Sequence, residues 1–162
     1  MTFLTRAVMS SQLISISEEK DVSAAEKLMA EKQIRHLPVV DSFDELAGII
    51  TSTDVAKAIN KQTKIKEVMS PRVRIIKRDE NIKKVIGQML KFKISSMLVS
   101  HNENLVGIVT TDDLIQLLYE LIDEDEQLKN IEVSTLLENE WESVDKDDLT
   151  EVNVEPETEY YS

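Results

Sequence analysis

The sequence predicts an α/β fold, classed as α+β in some schemes, in which two βαββα repeats pack with pseudo-two-fold symmetry. Two recurring motifs predict the repeats. Val8–Ser10 returns 60 residues later as Val68–Ser70, and Gly48–Thr51 returns 59 residues later as Gly107–Thr110. Because the spacing falls by one residue between the two motifs, one turn of the second copy is predicted to be one residue shorter.

The elements of each repeat follow from the spacing of its apolar residues. Short strands are predicted at Leu13–Ser17 and Val73–Lys77. A helix follows each strand, because apolar residues then recur at intervals of three and four. These residues are Val22, Ala25, Leu28, Met29 and Ala30 in the first repeat, and Ile82, Val85, Ile86, Met89 and Leu90 in the second.

Each repeat is predicted to close with a β-hairpin and a second helix. The hairpin strands are Leu37–Val40 and Ala47–Ile50 in the first repeat, and Met97–Val99 and Leu105–Val109 in the second. The closing helices are Thr53–Asn60 and Thr111–Ile122, which begin at hydroxyl or carboxylate residues suited to helix caps. We therefore predict a first repeat at 1–62, a second repeat at 63–122, with Lys61–Glu67 as the link, and a C-terminal extension at 123–162.

The charge of the chain is concentrated in its last third. Residues 1–118 carry 17 Lys and Arg against 15 Asp and Glu, whereas residues 119–162 carry 2 against 16. A nearly neutral body offers no concentrated basic face and argues against nucleic-acid binding. The extension is predicted to be helical at first and then, from Glu142, to lack a packed structure of its own.

Composition and motifs also exclude several function classes. The chain has no cysteine, which excludes disulfides and thiolate metal sites, and its two histidines do not suffice for a typical zinc site. Apolar runs are too short to span a membrane or to form a signal peptide, so we expect a cytoplasmic protein with no membrane partner. Phosphate-binding loops, zinc-protease motifs and nucleophile elbows do not occur, so we predict no catalytic residues and no enzyme activity.

A Gly-apolar-apolar-Thr-x-x-Asp string occurs twice, at Gly48–Asp54 and Gly107–Asp113. It predicts a strand that ends at a helix N-terminus, where backbone N–H groups favour a phosphate. The Asp in the first helical turn is placed to accept hydrogen bonds from two ribose hydroxyls. An ordinary helix cap is the alternative interpretation of either string alone, and the duplication favours a ligand site.

At these residues the sequence resembles the CBS domain, named for cystathionine β-synthase, and in particular the tandem pair called a Bateman module. The resemblance covers about residues 5–122 and rests on Val8–Ser10, on Ile34–Asp41 and on both Gly-to-Asp strings. It implies a regulatory module without chemistry of its own that binds an adenine nucleotide such as AMP, ADP or ATP. S-adenosylmethionine, NAD and cyclic dinucleotides are other ligands of the family.

The resemblance implies two clefts, each built from the Thr and Asp of one repeat and from two segments of the other. The first cleft would contain Thr110, Asp113, Val8, Ser10, Ile14, Ile34, Arg35, His36 and Pro38. The second would contain Thr51, Asp54, Val68, Ser70, Val73, Ile94, Ser95, Ser96 and Met97. In both, the apolar members would hold the adenine and the polar members would contact the ribose and phosphate.

The two implied clefts differ in charge. Arg35 and His36 correspond to Ser95 and Ser96 in the second repeat. Because a guanidinium binds phosphate bidentately and a hydroxyl donates one neutral hydrogen bond, we expect the cleft of Asp113 to bind the charged nucleotide. The second copy also has Leu98 where the first has Pro38, which weakens the resemblance at the cleft of Asp54.

Two functions are therefore considered for the whole chain. The first is a regulatory module, expected to be a homodimer, that senses an adenosine-containing nucleotide and modulates a partner protein. The second is a ligand-free adaptor that acts through oligomerisation and its acidic extension. In the extension, Trp141, Tyr160 and Tyr161 are candidate anchors for a basic partner.

Overall fold

The computed structural model describes residues 3–124 and 151–153, and it has the mixed α/β architecture predicted from the sequence. The sheet order is β1-β2-β3 in a three-stranded sheet and β6-β5-β4-β7 in a four-stranded sheet. In chain order the elements are β1 (Ile16–Ser17), α1 (Val22–Lys32), β2 (His36–Val40), β3 (Leu46–Thr51), α2 (Ser52–Lys57), β4 (Arg72–Lys77), α3 (Ile82–Phe92), β5 (Ser96–His101), β6 (Asn104–Thr110), α4 (Thr111–Glu124) and β7 (Glu151–Asn153).

The chain is divided into two compact units that exchange their opening segments. Residues 3–12 pack with residues 76–124, and residues 13–75 form the other unit together with 151–153. The exchange is held by main-chain bonds, because Thr5 N donates to Glu80 O at 2.8 Å and Ile82 N donates to Phe3 O at 2.9 Å. The predicted boundaries at 1–62 and 63–122 follow the motifs along the sequence, whereas the compact units follow these non-local bonds.

In the unit of residues 13–75, β1 runs parallel to β2, and β2 forms an antiparallel hairpin with β3. α1 lies against this sheet, and its Val22 and Ala25 are fully buried. The predicted first strand is longer than the observed one, because only Ile16 and Ser17 pair with β2. Nine buried residues form the core: Ile16, Val22, Ala25, Met29, Leu37, Val39, Ile50, Val55 and Ile65.

The predicted link between the repeats is part of this unit's core. Ile65 is fully buried within a 3₁₀ turn at Ile65–Glu67. The side chain of Lys66 donates to Glu19 at 2.8 Å, and this bond lowers the pKa of the Glu19 carboxyl and raises the pKa of Lys66. Lys61 Nζ donates to the carbonyl of Val55 at 2.6 Å, near the point where α2 ends, three residues earlier than predicted.

The second unit repeats the same construction. Its hairpin is shorter by one residue, as predicted, because Val40 pairs with Leu46 in the first hairpin and Ser100 pairs with Leu105 in the second. Each hairpin has a register shift at the equivalent point, after Val39 and after Val99. The core of this unit contains Ile76, Ile82, Val85, Met89, Met97, Val99 and Val109.

The two long helices of the repeats begin and end alike. Asp21 caps α1 and Asn81 caps α3, each by accepting a main-chain N–H of the first turn. Both helices end at a left-handed residue, Gln33 with φ 54° and Lys93 with φ 53°. The helix predicted from the apolar spacing is present, but Ile86 and Leu90, which belong to that apolar pattern, are exposed, and Gln88 is buried. The buried stripe of α3 is thus narrower than its apolar pattern suggested.

The final described segment is an unexpected strand. β7 pairs antiparallel with the first half of β4, although the sequence predicted no packed structure beyond Glu142. The helical stretch expected after Ile122 and the aromatic residues Trp141, Tyr160 and Tyr161 lie outside the described residues. Within the described part of the chain, no helix is both long enough and apolar enough to cross a membrane.

Candidate ligand-binding site

The first Thr–Asp string forms a closed cap at the junction of β3 and α2. The main-chain N–H of Thr51 donates to Asp54 Oδ2 at 2.8 Å, and the Thr51 hydroxyl donates to the same oxygen at 2.7 Å. In return, Asp54 N donates to Thr51 Oγ1 at 3.3 Å. This arrangement is a capping box, the alternative that the sequence left open for a single string.

The second string has the same geometry at the junction of β6 and α4. Thr110 N donates to Asp113 Oδ2 at 2.6 Å, and the Thr110 hydroxyl donates to it at 2.7 Å. Asp113 N is 3.4 Å from the Thr110 hydroxyl. In both copies the bonds formed with the described residues reach Oδ2, so that Oδ1 can accept hydrogen bonds from a ligand.

Each string starts at a glycine that lies against the main chain of a serine. Ser10 exchanges two main-chain bonds of 2.9 Å with Ile108, and Ser70 exchanges two with Ile49, also at 2.9 Å. A Cβ on Gly107 would lie 2.6 Å from Ser10 O, and a Cβ on Gly48 would lie 2.6 Å from Ser70 O. Only glycine permits this approach, which brings the Val-Met-Ser motif to the strand that carries the Thr and Asp.

The start of the adjacent strand lies beside each Thr. His36 is paired with Thr51 in the β2–β3 ladder, and Ser96 is paired with Thr110 in the β5–β6 ladder. The preceding carbonyls accept from the first residue of each helix, Arg35 O from Ser52 N at 2.9 Å and Ser95 O from Thr111 N at 3.0 Å. The sequence did not predict this register, which makes Arg35 and His36 neighbours of the Thr in their own repeat.

The structure thus divides the predicted site residues between the two compact units. One unit contains Ile14, Ile34, Arg35, His36, Pro38, Thr51, Asp54, Val68, Ser70 and Val73; the other contains Val8, Ser10, Ile94, Ser95, Ser96, Met97, Thr110 and Asp113. Within each unit the Thr–Asp string, the serine that faces its glycine and the strand start come together. The predicted combination of Arg35 and His36 with Thr110 and Asp113 stays a prediction.

Burial separates the site residues into two groups. His36, Pro38, Val73 and Met97 are buried, and the other apolar members are half-buried. Arg35, Ser10, Ser70 and Ser95 are exposed, which suits groups that contact a charged or hydroxylated ligand. Among residues 3–124 and 151–153, no cluster of His, Asp and Glu has the composition to hold a metal ion.

Comparison with known families identifies the repeats. The CBS domain matches twice, at residues 6–61 and 65–120. This chain belongs to the CBS domain family and carries two CBS domains in tandem. Such a pair is a regulatory, ligand-binding module, as the two Thr–Asp strings had indicated.

Two curated relatives are similar over the same region. A homoserine O-acetyltransferase from Methanobrevibacter ruminantium is 37% identical over 113 residues, which cover 68% of this chain and 23% of that protein. An L-aspartate semialdehyde sulfurtransferase from Methanocaldococcus jannaschii is 37% identical over 117 residues, 70% of this chain and 23% of that protein. The chain therefore spans less than a quarter of the length of these curated relatives, in the part that matches the CBS pair.

Solved structures agree with this assignment. The CBS domain pair of protein MJ0100, in complex with 5′-methylthioadenosine and S-adenosyl-L-methionine, is 32% identical with a TM-score of 0.69. The match covers 75% of this chain and 99% of that one. A CBS-domain-containing protein from Agrobacterium tumefaciens has a TM-score of 0.67 at 17% identity, covering 71% of this chain and 92% of that one, and this likeness supports the fold alone.

Proposed function

We propose that this chain is a regulatory module that binds an adenosine-containing ligand at its two Thr–Asp strings and changes the affinity for a protein partner. The observation that carries the proposal is the duplicated geometry, in which the carboxylates of Asp54 and Asp113 each accept the same pair of hydrogen bonds at Oδ2, from the main-chain N–H and the hydroxyl of the preceding Thr. Helix caps alone do not require the Val-Met-Ser motif and its glycine contact to be repeated as well.

The adenosine part of the ligand is the best supported. An Asp in the first turn of a helix suits two ribose hydroxyls, and half-buried aliphatic side chains such as Ile14, Ile34 and Val8 suit an adenine ring. The related pair of protein MJ0100 binds 5′-methylthioadenosine and S-adenosyl-L-methionine, which share this adenosine part. We therefore place these two compounds beside AMP, ADP, ATP and NAD as candidates.

We propose that Asp113 belongs to the stronger site. α4 extends over 14 residues, whereas α2 has 6, so the N–H groups at the start of α4 belong to the longer helix. The sequence favoured the same carboxylate because of the two cations, Arg35 and His36. The register of His36 with Thr51 supports the opposite assignment, in which these cations serve Asp54.

Calorimetric titration of the six compounds into the full chain tests the ligand. Replacing a carboxylate that accepts ribose hydroxyls removes hydrogen bonds to a charged group, so Asp113→Asn should weaken binding about 10- to 100-fold. Asp112→Asn removes one charge from the same helical turn and is the matched control, with affinity expected to stay within about twofold. If none of the six compounds binds, the nucleotide proposal is refuted.

A double-mutant cycle decides which carboxylate Arg35 serves. Arg35→Gln is combined with Asp113→Asn in one pair and with Asp54→Asn in the other, and phosphate-bearing AMP is compared with 5′-methylthioadenosine. Residues that contact one ligand show coupled effects, whereas residues of separate sites show additive ones. Coupling to Asp113 would support the assignment predicted from the sequence, and coupling to Asp54 would overturn it.

We further propose that the module is a homodimer through α4. Ile115, Leu118, Tyr119 and Ile122 are exposed at positions that share one face of this helix, while Leu114 and Leu117 pack on the core. A row of large apolar side chains on a helix is typical of a contact surface.

Light scattering should show a dimer that Leu118→Glu converts to monomer, and Gln116→Glu, on the same exposed helix, should leave the mass unchanged. Equal masses for both variants would refute the proposal.

A further inference from the structure

β4 is longer than its counterpart in the first repeat. β1 has only Ile16 and Ser17, whereas β4 extends over Arg72–Lys77. At the repeat spacing of 60 residues, the first half of β4 corresponds to residues 12–15, which form no strand. Only the second repeat therefore has a strand at this position.

The partner of this extra length is the C-terminal segment. β7 pairs antiparallel with it in continuous register, with Arg72 opposite Asn153, Val73 opposite Val152 and Arg74 opposite Glu151. β7 is also the outermost strand of its sheet, so without it the edge of β4 would present unpaired N–H and C=O groups. The segment therefore satisfies main-chain groups that no element of the repeat itself satisfies.

Charge distinguishes the two repeats at the same place. Arg72, Arg74 and Lys77 correspond to Gln12, Ile14 and Ser17, so three cations in the second repeat replace three neutral residues in the first. The extension that supplies β7 carries 16 acidic residues against 2 basic ones from residue 119 onward. The basic strand and the acidic segment are complementary, and the register places an acid, Glu151, opposite a base, Arg74.

We propose that the basic edge of β4 is a strand-addition site for an acidic extended segment, and that the chain's own C-terminal extension occupies it as a salt-sensitive intramolecular latch. Main-chain bonds supply the affinity, as in other cases of strand addition, and the charge pattern selects an acidic occupant. The basic partner of the acidic extension is thus a strand of the same chain.

Cysteine cross-linking in the full chain tests the latch, because the natural sequence contains no cysteine. Directly opposed strand residues have Cα separations that permit a disulfide, so Arg72→Cys with Asn153→Cys should form an intramolecular bond under mild oxidation. Gln12→Cys with Asn153→Cys is the matched control at the equivalent position of the first repeat. The first pair should cross-link at least about ten times faster than the control. Equal rates, or a disulfide-linked dimer as the main product, would overturn the proposal.

The proposal that charge selects an acidic segment is tested separately, in the variant with Arg72→Cys and Asn153→Cys. Glu151→Lys should slow cross-linking about two- to fivefold, since one opposed charge pair becomes a repulsive one, and Arg74→Glu added to it should restore the rate. Raising the salt to 1 M should slow the reaction of the parent pair, because screening then acts within about 3 Å. If the cross-linking rate is the same after Glu151→Lys and in 1 M salt, charge does not select the occupant.

Hydrogen exchange provides a readout without cysteines. Val152→Pro removes a main-chain donor from β7 and should increase, at least about tenfold, the exchange rates of those amides at residues 72–74 that face β7, while the body of the protein is unaltered. The amides of β2 serve as the internal reference. Unchanged protection of the amides at residues 72–74 that face β7 would refute strand addition whatever the cross-linking shows.

Discussion

Replacing Gly107 with Ala tests the contact that joins the Val-Met-Ser motif to the ligand strand. The new Cβ would lie 2.6 Å from Ser10 O and 3.1 Å from Met9 Sδ. The methionine can move, but the serine carbonyl is main chain and is held by two bonds of 2.9 Å with Ile108. We therefore expect the opening segment to shift away from β6 and to lose both bonds.

The expected loss in the free energy of unfolding follows from the two main-chain bonds between Ser10 and Ile108. Each contributes about 0.5–1.5 kcal/mol, so their loss destabilises the protein by about 1–3 kcal/mol. Alanine restricts the unfolded chain and offsets about 0.4–1 kcal/mol of this. The net decrease in the free energy of unfolding is then at most about 2.6 kcal/mol and is centred near about 1.3 kcal/mol. At about 2–4 °C per kcal/mol for a chain of this size, the central value corresponds to a fall in Tm of about 3–5 °C.

Urea denaturation and calorimetry measure this change in the free energy of unfolding. A second glycine provides a control that is expected to change it in the opposite direction. Gly87 lies in the interior of α3, where alanine has the better helix propensity, so Gly87→Ala should raise stability by about 1 kcal/mol. Gly48→Ala should match Gly107→Ala, because its Cβ would lie 2.6 Å from Ser70 O. A stable Gly107→Ala variant with an unchanged ligand affinity would refute the role of this contact.

Two further predictions concern helix caps. Asn81→Ala removes the side chain that accepts from Lys83 N at 2.8 Å and should lower the free energy of unfolding by about 1 kcal/mol in urea, whereas Lys83→Ala should change it by less than half as much. The Ser23 hydroxyl and the Ala24 amide hold the pKa of Asp21 below its ordinary value. The stabilisation by this carboxylate is fully present above its unfolded pKa of about 3.9 and is lost as the pH falls through the lower folded pKa. In Asp21→Asn this contribution to the acid dependence should disappear, and an unchanged profile between pH 2 and pH 5 would contradict the assignment.

Much of each repeat could be predicted because its signals are local. Of the five apolar residues that predicted α1, Val22, Ala25 and Met29 are buried, whereas Leu28 is half-buried and Ala30 is exposed. The shorter turn of the second hairpin followed from counting residues between motifs. In α3 the same spacing predicted the helix but not the exposure of Ile86 and Leu90, because exposure depends on which neighbouring elements cover that side of the helix.

The candidate site was predictable in its parts but not in its register. The Thr–Asp strings identified both helix starts, and the mutual bonds of Thr110 with Asp113 follow from that spacing. The pairing of His36 with Thr51 depends on how β2 aligns with β3, and a strand's own residues do not fix that alignment. Whether the cations Arg35 and His36 act together with Asp113 or with Asp54 is therefore a question for the double-mutant cycle.

The sequence by itself determined that this protein is a duplicated βαββα pair with two equivalent Thr–Asp strings, because a repeat is visible wherever residue types recur at constant spacing. The tertiary structure alone decided the exchange of opening segments and the addition of β7 to β4. Both rest on main-chain hydrogen bonds between segments far apart in the chain. Every residue carries the same main-chain groups, so side-chain patterns cannot specify which distant segments these groups join.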